Sequence, residues 1–238
     1  MPLTSTHWGT YYTEVRGGKL VGMQPFGQDA DPSEIGKGLV DTLDAPTRIT
    51  APMVRKGWLD GRKGQRGKDS FVEVSWSDAL SLVADELSRV KAEQGNQGIF
   101  AGCYGWASAG RFHHAQSQIH RFMNCIGGYV KSVNTYSFAA AEVIIPHVLG
   151  DFRGFIYDQT SWQSICDDGG LFVGFGGLPL KNAQINQGGT GGHVQKGFVA
   201  KAHRAGVEFV NISPLAADMP DTVEFDWLAI RPNTDTAL

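Results

Sequence analysis

Apolar residues return at helical spacing after Ser75: Ala79, Leu80, Val83, Leu87 and Val90 fall on one side of a helix. Ser75 and Asp78 make a capping-box pattern at its start, and Gly95 ends the run. A second stripe of Ala115, Ile119, Phe122, Met123 and Ile126 predicts a helix from about Arg111 to Ile126. A third run, Ala139 to Val148, is interrupted by Pro146. Short continuous apolar runs predict strands at "GIFAG" (98–102), "LFVGFG" (171–176) and "VEFVNI" (207–212), with a helix at "GHVQKGFVAKAHRAG" between the last two. Strand, helix and strand joined by glycine turns predict a mostly parallel, doubly wound α/β sheet.

The first part of the chain has a different pattern. "YYTEVRGGKLVGMQPF" predicts a hairpin with Gly17 and Gly18 at the bend, and "QDADPSEIGKG" predicts a loop. "DAPTRITAPMVRKGWL" carries two prolines that forbid a long helix. The expected architecture is thus α/β: a β-rich segment over residues 1–56, then an α/β region over 57–238. The basic, glycine-rich "DGRKGQRGKDS" (60–70) fits a solvated loop, with a phosphate or substrate-entry contact as the alternative.

Composition narrows the function. The 31 glycines are about twice the usual share. Many stand in pairs between periodic segments, where turns and close backbone approach to a ligand need them. A net charge of −3 with no long basic run gives little support to nucleic-acid or membrane-surface binding. No run approaches the roughly 20 apolar residues of a membrane span, and "MPLTSTHWGTYY" lacks the layout of an export signal. The expected location is cytoplasmic, or periplasmic if an export signal has been removed. Cys103, Cys125 and Cys166 are too dispersed for a disulfide framework, a zinc ribbon or a cysteine-ligated iron–sulfur cluster, and are expected to be buried thiols.

In an open α/β sheet a ligand lies beyond the carboxyl ends of the strands. That directs attention to "GCYGWASAG", "FGGLPLKN" and "ISPLAAD", and to "GGTGGH" (188–193), whose amides suit a phosphate at a helix start. Neither the dinucleotide nor the P-loop glycine fingerprint is present, which weakens a nicotinamide-type oxidoreductase. His113 and His114 are adjacent and point to different helix faces, and no carboxylate completes a metal set with His120. Tyr104 and Trp106 suit core packing or the wall of a pocket. Ser137 stands where a helix N-cap belongs, the common use of such a serine, and the nucleophile-elbow pattern G-x-S-x-G that would mark it for hydrolysis is absent.

Several motifs occur in order: "HWG" near the start, "APTRI" (45–49), "PMVRKGWL" (52–59), "FVEVSWSDAL" (71–80), "FAGCYGWASAGRFHHA" (100–115) and "YSFAAAEVIIPHVLG" (136–150). Together they resemble the N-terminal part of the molybdopterin-guanine-dinucleotide S/N-oxide reductases, the dimethyl sulfoxide, trimethylamine-N-oxide and biotin sulfoxide reductase group. "RPNTDTAL" at the end resembles a pterin-binding segment of that family, so the similarity covers nearly the whole chain.

The resemblance implies specific roles. Ser137 would ligate molybdenum through its oxygen, a hard donor suited to a high-valent metal. Tyr104 would donate to the metal's oxo group or the substrate oxygen, and Trp106 would line the same pocket. Lys181 would meet a phosphate or the nucleotide, Ile212, Ser213 and Pro214 would form a nucleotide loop, and Asn233 and Asp235 would bind guanine or pterin. Gly177-Leu178 and the glycine-rich 184–193 stretch depart from the family pattern.

The implied cofactor is bis(molybdopterin guanine dinucleotide)molybdenum, without an iron–sulfur cluster. The implied partners are a small-molecule sulfoxide or N-oxide and an electron donor, with the biotin or methionine sulfoxide type favoured. Trimethylamine-N-oxide or dimethyl sulfoxide reduction, and a non-catalytic cofactor-binding fragment, are the alternatives. Family chains are much longer, so the expectation is an N-terminal fragment, incomplete relative to the family and inactive alone.

Overall fold

The computed structural model describes residues 1–61, 66–103, 114–186 and 191–238. Its strands are β1 (Leu3–Thr6), β2 (Gly9–Arg16), β3 (Lys19–Pro25), β4 (Met53–Arg55), β5 (Phe71–Glu73), β6 (Leu171–Phe175), β7 (Glu208–Ser213) and β8 (Asp226–Ala229). Its α-helices are α1 (Leu39–Thr42), α2 (Lys56–Leu59), α3 (Trp76–Gln94), α4 (Ala115–Cys125), α5 (Ala139–Leu149), α6 (Phe152–Tyr157), α7 (Trp162–Asp168), α8 (Leu180–Ala183) and α9 (Gln195–Arg204). The described residues fall into two compact units. The first holds the described residues of Met1–Val40 and Val133–Leu238 together with His114, and the second those of 41–103 and 115–132.

In the first unit β1, β2 and β3 form an antiparallel sheet. The β2–β3 bend falls on Gly17 and Gly18, both at positive φ (57° and 78°), a conformation glycine takes without strain. Tyr11 of β2 is fully buried, and its hydroxyl is 2.8 Å from the Ser33 carbonyl and 3.0 Å from that of Trp8. Burial pushes its phenol pKa up, and the nearby Asp29 carboxylate adds to the effect. The stretch expected as loop contains a 3₁₀ turn, Glu34–Gly38, because the Ser33 hydroxyl caps it by accepting from the Ile35 amide.

The same unit carries a parallel sheet in the order β6-β7-β8. Val199 and Ala202 of α9 pack with Val207, Phe209, Met219, Val223 and Cys166 into one core. Trp162 of α7 stacks on Phe172, which packs on Phe209 in turn, each pair with centroids 5.5 Å apart. Leu171, Val173 and Phe175, on the opposite face of β6, are exposed. Pro146 does not interrupt α5: the helix continues to Leu149, and the Gly150 amide closes on the Pro146 carbonyl. Proline removes one amide and leaves its own carbonyl available, so a short helix can run through it.

In the second unit β4 and β5 form a two-stranded antiparallel ribbon. Helix α3 opens as the pattern requires, with the Ser75 hydroxyl accepting from the Asp78 amide at 3.1 Å, and it ends at Gly95 with φ 71°. Leu87 and Val90 pack against Ile99, Ala101 and Met123. The "GIFAG" strand is reduced to a single parallel bridge, Phe100 to Val130, with Phe100 exposed between buried Ile99 and Ala101. One bridge provides too few ladder bonds to extend a strand. Cys103 and Cys125 are exposed, contrary to expectation, while Cys166 is buried. Cys125 closes α4 away from the side that Met123 buries, and Cys103 follows the last core residue, Ala101.

Candidate functional site: the carboxyl edge of the parallel sheet

Because β6, β7 and β8 are parallel, their carboxyl ends open on one edge. After β6 the chain turns through Gly176 and Gly177 at φ 83° and 76°. The Gly176 amide donates to the Ile212 carbonyl at 2.9 Å, and the Leu178 amide donates to the Asp218 carbonyl at 2.6 Å. A Cβ on Gly177 would collide with that Asp218 carbonyl, so this turn lies flush against the one after β7. Lys181 follows on α8 with its side chain exposed.

Ile212 and Ser213 end β7 and are buried, and Pro214 begins the turn on the surface. The Ser213 hydroxyl donates to the Asp218 carboxylate at 2.6 Å and accepts from the Leu215 amide at 3.2 Å. Its carbonyl accepts from the Trp227 indole at 2.9 Å. These bonds make Ser213 the hinge pin of the turn. Beneath it, Asn211 is completely buried and donates to the Leu215 carbonyl. Its Oδ1 has no hydrogen-bond partner among the described residues. Asn211 and Asp218 were not singled out in the sequence. The available signal was two polar residues, one in a strand and one in the loop after it.

After β8 the chain reaches Asn233 at φ 63°, and Asp235 opens a short 3₁₀ turn with its carboxylate exposed. Lys181, Ile212–Pro214, and Asn233 with Asp235 thus follow, in chain order, the carboxyl ends of three neighbouring parallel strands.

Ser137 lies elsewhere, on the approach to α5. The helix begins one residue later than a serine cap requires: its N-cap is Phe138, without a side-chain cap bond. Ser137 is exposed, and its amide donates to the Thr135 hydroxyl at 3.4 Å. The Thr135 amide donates to Glu142 at 3.1 Å, tying this loop to the first turn of α5. Tyr104, Trp106 and His113 lie outside the described residues. His120 bonds the Tyr129 hydroxyl and stacks on its ring, a pairing internal to the second unit. Among the described residues, no group of three or more His, Cys, Asp or Glu side chains is arranged to hold a metal ion.

Residues 4–44 match the family profile "Molybdopterin oxidoreductase N-terminal domain", and residues 48–238 match "Molybdopterin oxidoreductase". The chain belongs to the molybdopterin oxidoreductase family. It is 42% identical over 222 residues to the biotin sulfoxide reductase of Cereibacter sphaeroides, an alignment covering 92% of this chain and 30% of the relative. It is 37% identical over 243 residues to the trimethylamine-N-oxide reductase of Haemophilus influenzae, covering 99% of this chain and 29% of the relative. A dimethyl sulfoxide/trimethylamine N-oxide reductase of Cereibacter sphaeroides is 36% identical over 241 residues, with 99% and 29% covered. The chain thus spans about three-tenths of the length of these curated relatives. No helix among the described residues is long and apolar enough to cross a membrane.

Membership in this oxidoreductase family implies a molybdenum–pterin cofactor, and the residues present suit one. The turns that follow these strands offer an exposed ammonium, an exposed carboxylate and a side-chain-free glycine turn, donors and an acceptor suited to a phosphorylated heterocycle. The exposed Ser137 offers a hydroxyl oxygen of the hardness a high-valent metal prefers.

Proposed function

We propose that this molybdopterin oxidoreductase chain forms part of an enzyme that reduces an S-oxide of the biotin or methionine sulfoxide type. Its cofactor would be bis(molybdopterin guanine dinucleotide)molybdenum, without an iron–sulfur cluster, bound within the 57–238 region. The reading rests chiefly on one observation: Lys181, Ile212–Pro214, and Asn233 with Asp235 follow the carboxyl ends of β6, β7 and β8, three neighbouring parallel strands. The 42% identity to a biotin sulfoxide reductase supports the substrate class. The relatives that act on trimethylamine N-oxide and dimethyl sulfoxide, at 37% and 36% identity, carry the second reading of the substrate.

The bound cofactor supplies the redox chemistry: a sulfoxide, two electrons from an external donor and two protons become a sulfide and water. The protein residues hold and polarise. Ser137 anchors the metal through its side-chain oxygen. Tyr104 donates a hydrogen bond to the substrate oxygen as negative charge grows there, and Trp106 walls the pocket. Lys181 balances phosphate charge, while the Asp235 carboxylate and Asn233 amide complement the N–H edge of guanine or pterin.

The test is molybdenum and guanine nucleotide content of the chain purified from a molybdopterin-competent host, alone and extended to the length of its relatives. Metal and nucleotide in either form support the reading, and absence from both overturns it. In the extended enzyme Ser137→Ala should abolish normal turnover, whereas normal rates with normal metal content would refute the ligand role. Faster turnover of an N-oxide than of sulfoxides would transfer the assignment to the second substrate class.

A further inference from the structure

The loop after β3 carries two acidic side chains that reach the crossover between β6 and β7. Asp29 Oδ2 stands 2.8 Å from His193 Nδ1, with 9% and 1% of the two side chains exposed. That separation is within ion-pair distance for a protonated imidazole. Neither imidazole nitrogen has a hydrogen-bond partner among the described residues. Gly9 covers the ring: a Cβ there would lie 3.1 Å from His193 Cε1 and 3.4 Å from Asp29 Oδ2. Asp31 grips the other end of the crossover. Gln184 Nε2 donates to the Asp31 carbonyl at 3.1 Å and to its carboxylate at 2.9 Å, and Lys196 Nζ stands 3.7 Å from the same carboxylate. The Asn186 amide donates to the His7 carbonyl at 3.1 Å.

A buried carboxylate–histidine contact without directed hydrogen bonds is poor value as a source of stability, since desolvation opposes its attraction. Its position accounts for it better. Gln184 is the C-cap residue of α8, the helix that carries Lys181, and His193 lies two residues before α9. Helix α9 runs back toward the start of β7, so its first turn lies at the carboxyl edge of the sheet. The loop after β3 thus meets the crossover at two points, Gln184 just after α8 and His193 just before α9, on the side where the nucleotide is placed.

We propose that Asp29 and Asp31 are positioning residues for the cofactor's nucleotide, holding α8 with Lys181 and the start of α9 at the sheet edge through Gln184 and His193. This rests on the reading that the nucleotide occupies that edge.

The test compares the wild-type chain with Asp29→Asn, Asp31→Asn and the double variant, in whichever length retains cofactor. Two quantities are read: the rate at which guanine nucleotide leaves, and amide hydrogen exchange over residues 180–186 and 191–197 against β7. The expected result is release about tenfold faster in each variant, as for other residues that act through a ligand's neighbours. Exchange should quicken in the two crossover stretches and stay unchanged in β7. Ser75→Ala, which weakens a helix start in the other unit, should leave release unchanged. Faster exchange throughout the sheet would mean general loosening and overturn the proposal, as would unchanged release with locally faster exchange. Wild-type protein that holds no nucleotide at either length would overturn the cofactor reading and this proposal with it.

Discussion

Helices α3 and α9 are both amphipathic, but they end in opposite circumstances. The ten-residue α9 buries Val199 and Ala202 completely, while the nineteen-residue α3 has no buried residue. Leu87 and Val90 of α3 reach a small core, whereas Trp76, Val83 and their neighbours line an apolar groove of about 650 Å³ with Met53, Trp58 and Phe71. An apolar stripe marks a face that favours leaving water. Whether the face is covered depends on the area its neighbours present. Helix α9 connects two strands that pair with each other, so the crossover lays it on their sheet. Among the described residues of its own unit α3 meets one side of α4, a ribbon of two three-residue strands and a single bridge.

Matched substitutions put this contrast to the test. Val199→Asp buries a carboxylate with no partner and should lower the stability of the first unit by about 4 kcal/mol or more. Val83→Asp, at a position 55% exposed, should change stability by no more than about 0.5 kcal/mol. Thermal unfolding reads both, and equal losses would mean that the α3 groove is covered in solution.

Glycine separates the regions further. Gly177→Ala meets both a positive φ and the Asp218 carbonyl, and should cost about 2–3 kcal/mol in denaturant unfolding. Gly197→Ala, in α9 with open space around it, should gain about 0.5–1 kcal/mol. A loss at Gly197 would reveal a neighbour at that helix face.

The helix start of α3 is the next smaller effect. Ser75→Ala removes the acceptor for the Asp78 amide and should cost about 1 kcal/mol, read as a lower unfolding midpoint of the second unit. Arg89 comes last. It pairs with Glu86 at 2.6 Å and Glu93 at 2.5 Å and holds the Glu86 carboxyl below its usual range. Arg89 and Glu93 are exposed and Glu86 is half-buried, so water and salt reach the pairs and Arg89→Ala should leave the midpoint where it was. A clear drop would show that the α3 surface depends on its ion pairs.

Features written in neighbouring residues were legible in advance. The Gly17-Gly18 bend, the Ser75 cap, the Gly95 stop and the β6–α9–β7 crossover each depend on local conformational preference or on one period of apolar residues. The candidate site was legible in part. Its loops could be named because strand ends in a parallel sheet attract ligands, but the coupling of two turns through Gly177 and Asp218 could not. Ser137 had the chemistry of a cap, yet α5 begins past Phe138, because the Thr135–Glu142 bond draws the preceding loop onto the helix. Strand β8 is too short to carry a period and exists through its pairing with β7.

The period of apolar residues was sufficient for the class of fold, since it follows from residue types at short range, while the kind of chemistry came only through the ordered motifs that resemble a known family. Which apolar face was buried, which cysteines met water, and that Asp29 in the loop after β3 would meet a histidine far along the chain were settled in three dimensions. Burial and pairing depend on what the remainder of the chain brings alongside, and no local window contains that information.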